Sequence, residues 1–78
     1  MKKLSNITIA EFRAVLNSYG LKVLRTKGGH EAWAKEGMLR PIIFQTHVEP
    51  IPEFIVKNAI VGLNITRQEF LEKLENIG

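Results

Sequence analysis

With 78 residues and no cysteine, the chain suffices for one small domain, residues 1–78, and cannot staple it with a disulfide. Its core must be thin, since a domain of this size buries only about 60% of its unfolded surface, and no apolar run approaches the ~20 residues that span a bilayer. The net charge of +3 is uneven: residues 1–40 carry eight Lys/Arg against three Glu, residues 41–78 three against five, so the first half is the expected face for a polyanion.

Thr8-Ile9-Ala10-Glu11 is a capping box, with the Thr8 hydroxyl accepting from the Glu11 amide and the Glu11 carboxylate reaching back. Ile7 and Phe12 stand at the staple positions. Phe12, Val15, Leu16 and Tyr19 then recur at helical spacing, so residues 8–19 are predicted helical, with Gly20 as a left-handed stop. Leu21 to Thr26 is short and rich in β-formers, which predicts a strand. Gly28-Gly29 reverses the chain with positive φ at no Cβ cost. His30 to Lys35 returns as the partner strand, and Glu36-Gly37 turns again. Leu39 to Gln45 is the third predicted strand, and Pro41, which has no amide to donate, favours an edge.

His47 to Ile51 reads as a loop. Pro52 suits the first turn of a helix, with Glu53 at the positive end of its dipole. Ile55, Val56, Ala59, Ile60 and Leu63 form its apolar face, and Asn64 is suited to a left-handed stop. Thr66-Arg67-Gln68-Glu69 repeats the capping box, with Ile65 and Phe70 as the staple, and a short final helix carries Phe70, Leu71, Leu74 and Ile77. The order α-β-β-β-α-α predicts an α+β fold, a three-stranded antiparallel meander with helices on one face. The opening Met1-Lys2-Lys3-Leu4 has the charge of a signal peptide, but Glu11 and Arg13 interrupt any apolar stretch behind it. Together with the absence of cysteine, this leads us to expect a soluble cytoplasmic protein.

In the stretch Lys27-Gly28-Gly29-His30, the histidine is either a surface residue beside a turn with no role or a group that moves protons at an RNA phosphodiester. RNA holds a nucleophile, its 2′-hydroxyl, beside each phosphate. Cleavage needs a proton removed there, a proton given to the leaving 5′-oxygen, and cationic support for the charge on phosphorus. A histidine exchanges protons near neutral pH and serves as base or acid. Arg25 and Lys27 bring positive charge, and the glycine turn lets a phosphate approach backbone amides. Lys22, Arg25, Lys27, Lys35 and Arg40 lie on or beside the predicted sheet, either as backbone contacts for RNA or as a solvated face. Their strand phase differs, so not all of them can share one side. Trp33 either packs or stacks on a base. His47, at a strand end, is either a structural residue or a second phosphate contact. With two histidines, no cysteine and no aspartate, no metal-ligand set is visible, and no cofactor is expected.

The element order resembles the double-stranded-RNA-binding-domain fold. Arg25-Thr26-Lys27-Gly28-Gly29-His30 is similar to the R-x-K-G-S-H stretch of the HicA family of bacterial toxins. These are small mRNA interferases, each neutralised by a HicB antitoxin. The resemblance extends along nearly the whole chain, through Tyr19-Gly20, Gln45-Thr46-His47, the helix over 55–63 and Thr66-Arg67-Gln68-Glu69-Phe70. It implies an endoribonuclease acting on mRNA with His30 as its catalytic group. It also implies phosphate contacts from Arg25, Lys27, Gly28 and Gly29 and a HicB-like partner. The chain departs from the pattern in four places. Gly29 stands for a serine, Gln45 for a proline, Phe54-Ile55 for Gly-Thr, and Asn64 for glycine. The Gly29 and Gln45 departures keep open a second reading, an RNA-binding module of the same fold without chemistry, and a third is a degenerate toxin that keeps only antitoxin binding.

Overall fold

The computed structural model describes residues 4–77. Lys2 and Lys3 of the basic half lie outside the described residues. The elements run α1 (Ile9–Ser18), β1 (Lys22–Lys27), β2 (His30–Ala34), β3 (Ile42–Gln45), α2 (Glu53–Leu63) and α3 (Arg67–Ile77). The strands form one antiparallel sheet in the order β1-β2-β3. The protein is therefore α+β in the expected order.

Both capping boxes form. The Glu11 amide donates to Thr8 Oγ1 at 3.0 Å and the Thr8 amide to the Glu11 carboxylate at 2.9 Å. Thr66 and Glu69 repeat the pair at 3.1 Å in both directions. Helix α1 ends where Gly20 takes φ +86°, and the Leu21 amide returns to the Leu16 carbonyl at 3.1 Å, the closing bond of a Schellman motif. Asn64 closes α2 with φ +57°. Pro52 stands one position outside its predicted place: it is the N-cap of α2, and the helix begins at Glu53. The third strand is shorter than expected. Leu39 and Arg40 fall in a bend before Pro41, and pairing starts only at Ile42, beyond the residue that has no amide to give.

The core lies between the sheet and the helices. Phe12 of α1, Phe44 of β3 and Phe70 of α3 are all buried. The Phe12 and Phe44 rings meet edge to face at 5.2 Å, and Phe12 and Phe70 lie 6.3 Å apart. Leu4, Ile7, Val15, Leu16, Leu21, Ile42, Ile51, Val56, Ala59 and Leu74 complete the buried cluster. Strand β1 is different. All six of its residues are exposed, so it forms an uncovered edge beyond the core. Among the described residues, no helix is long and apolar enough to cross a membrane.

Candidate nucleic-acid interface

Directly opposed residues of an antiparallel ladder share a face. Ile42 and Phe44 point into the core, so their partners Trp33 and Glu31 lie on the helix side. Ile43, which is 43% exposed, and Gln45 lie on the outer side, with their partners Ala32 and His30. Across the next gap Ala32 opposes Arg25, His30 opposes Lys27, and Ala34 opposes Lys22. Lys22, Arg25, Lys27 and His30 thus share the outer face.

A simple alternation would put Lys22 on the side away from Arg25 and Lys27. The register shifts between Val23 and Arg25, so Leu24 is an extra residue in the ladder. This bulge resets the phase and turns Lys22 to the same side as the other two. Among the described residues none of the three makes an ion pair or side-chain hydrogen bond. An unpaired row of this kind keeps its charge available to a polyanion.

The turn between β1 and β2 has only two residues, Gly28 at φ +57° and Gly29 at φ +80°. Positive φ at both is the mark of a type I′ hairpin, and such a turn leaves both central amides outside the ladder. The turn is also pinned from β3. The Gly29 carbonyl accepts from the Thr46 amide at 2.7 Å and from the Thr46 hydroxyl at 3.1 Å. His47, the next residue, lays its ring against Gly29: a Cβ there would lie 3.1 Å from His47 Nδ1. His30 and His47 therefore flank one glycine, and both are exposed. Nδ1 of His30 stands 3.3 Å from the Gly28 carbonyl. A carbonyl only accepts, so this contact favours the Nδ1–H tautomer and leaves the lone pair on Nε2.

Two other candidates, Lys35 and Trp33, are committed elsewhere. Lys35 Nζ donates to the Tyr19 carbonyl at 2.9 Å and so caps the end of α1. Trp33 is part of the helix-side packing, and its Nε1 donates to Glu31 at 2.9 Å. Its indole does not share a face with the cations. Arg40 is exposed in the bend before β3, away from the turn in sequence. Sequence reasoning missed the ion pair beneath the sheet. Arg13 holds both oxygens of Glu31, Nε to Oε1 at 3.1 Å and Nη2 to Oε2 at 2.7 Å. Burial pushes the Glu31 carboxyl up, but the hydrogen bonds from Arg13 and Trp33 and the Arg13 charge together hold it below the ordinary carboxylate range. It also missed Phe54, which is 64% exposed on the first turn of α2. Its position outside the apolar stripe of that helix was the available signal. Among the described residues no group of three or more histidines or carboxylates is placed to hold a metal ion.

Comparison of the chain with family models, with curated proteins and with solved structures finds no match. The likeness to HicA toxins rests on the residues quoted above.

Proposed function

We propose that the protein is an endoribonuclease of the HicA type, the toxin of a toxin–antitoxin pair, acting on mRNA through His30. The observation that carries this reading is the shared rung of Lys27 and His30. A cation and an exposed imidazole oppose each other at the end of a hairpin whose two turn residues lie outside the ladder. A phosphate bound by Lys27, Arg25 and the turn brings the neighbouring ribose to the imidazole. The 2′-oxygen then attacks phosphorus, the P–O5′ bond breaks with a solvent proton going to the leaving 5′-oxygen, and the proton of the 2′-hydroxyl passes to His30. The Nδ1–H contact to Gly28 supports Nε2 as the atom that accepts it. Charge on the phosphorus oxygens is met by the cationic row.

The neutralising partner in this reading is a HicB-type protein that covers the same face. The three unpaired cations call for an acidic surface on it. Expression of the chain alone should arrest growth, and coexpression of a HicB-type antitoxin should relieve the arrest. Arrest that persists with His30→Ala contradicts the reading.

A binding module that uses the same face without chemistry is the second reading. It is favoured by Gly29, which supplies no hydroxyl beside His30. Pure protein incubated with RNA separates the two: a binder shifts the RNA intact, and the nuclease shortens it.

A further inference from the structure

Beside His30 the surface falls into a depression of about 430 Å³ between the free edge of β3 and the start of α2. Ile43, Val48 and Ile55 make its apolar walls, Phe54 stands at its side, and Gln45 lies next to His30 on the neighbouring strand. The volume is in the range of small-ligand sites. Resting on the ribonuclease reading, we infer that this depression is a nucleobase subsite. It takes one unpaired base of the RNA strand, next to the phosphate held at Lys27 and His30. Phe54 is its stacking surface and Gln45 reads the base edge.

Four observations support this occupant. Phe54 is a large aromatic left 64% exposed, although it belongs to a helix whose other face is well packed. An aromatic face beside a phosphate site suits any base, because every base has a π surface. Trp33 of β2 lies on the opposite face and is tied to Glu31, and Phe44 of β3 is buried in the core, so both leave this role open. Gln45 is exposed on the same rung as His30, and its amide offers a donor and an acceptor side by side, the pattern that pairs with base edges. Ile43 and Ile55 also wall an adjoining depression of about 490 Å³ that reaches Arg40. A strand laid along this groove meets cations at both ends, Lys27 at one and Arg40 at the other.

The test uses the intact protein, Phe54→Ala and Gln45→Glu, with short unpaired RNA oligonucleotides as the probe. Thermal melting checks folding, and both side chains are exposed. Phe54→Ala is expected to weaken binding about ten-fold while leaving the salt dependence unchanged, because no cation is removed. Gln45→Glu loses the amide donor and keeps acceptors. It should redistribute the cut sites of a mixed-sequence RNA toward cytosine, whose exocyclic amine donates to a carboxylate. If the native protein cuts RNA and both variants match it in affinity and cut-site distribution, the subsite is wrong and the ribonuclease reading survives. If the native protein neither binds nor cuts RNA, the ribonuclease reading falls and takes the subsite with it.

Discussion

His47 occupies the space that a side chain at position 29 would need: its Nδ1 lies 3.1 Å, and its Cε1 3.4 Å, from where a Gly29 Cβ would stand. Gly29 also holds φ +80°, a conformation that costs an L-residue about 1–2 kcal/mol. The glycine at position 29 is thus matched to its surroundings. Gly29→Ser should lower stability by about 1–2 kcal/mol in denaturant melts and displace the His47 ring, visible as a shift of its NMR signals. A variant as stable as the parent, with His47 unmoved, contradicts this packing.

The Arg13–Glu31 pair makes stability depend on acid. Glu31 is held below the ordinary value of 4.5, so the unfolded chain binds more protons in the window beneath it. The contribution is fully present above that value and is lost as pH falls through the folded-state value. Arg13 is partly exposed, so the pair is worth about 1 kcal/mol or less. Denaturation of the parent and of Glu31→Gln should differ at pH 7 and converge in acid. Curves that stay parallel down the acid limb contradict it.

The outer-face cations should act as phosphate contacts, and salt is the readout. Removing one contact lowers the slope of log K against log salt by about 0.7 for a single strand. Lys27→Ala and Arg25→Ala should each do so, with similar losses across RNA sequences. Lys35→Ala should leave the slope unchanged, since Lys35 caps α1. An equal effect from Lys35→Ala argues against the outer face as the binding surface.

Much of the fold was legible because its signals are local. Thr8 with Glu11, Thr66 with Glu69, Gly20 and Asn64 each mark a helix end within a few residues of chain, and each does so in the structure. The Gly28-Gly29 reversal is equally local. What was hidden depends on pairing across the chain. The bulge at Leu24 exists only against β2, and it decides that Lys22 joins Arg25 and Lys27. Arg13 meets Glu31 across 18 positions, with no spacing rule to announce it. The closeness of His47 to Gly29 arises because Thr46 pins the turn to the end of β3. Arg40 reads as part of a strand until Pro41 is seen to delay the pairing.

Cleavage of RNA by purified protein, measured beside its His30→Ala variant, tests the central claim most directly. His30 is exposed, so the variant should melt as the parent does. Its cleavage rate should fall by about 10²–10⁴-fold, the usual worth of a positioned acid or base, while RNA binding persists through Lys22, Arg25 and Lys27. A folded His30→Ala protein that shortens RNA at the parent's rate contradicts the account.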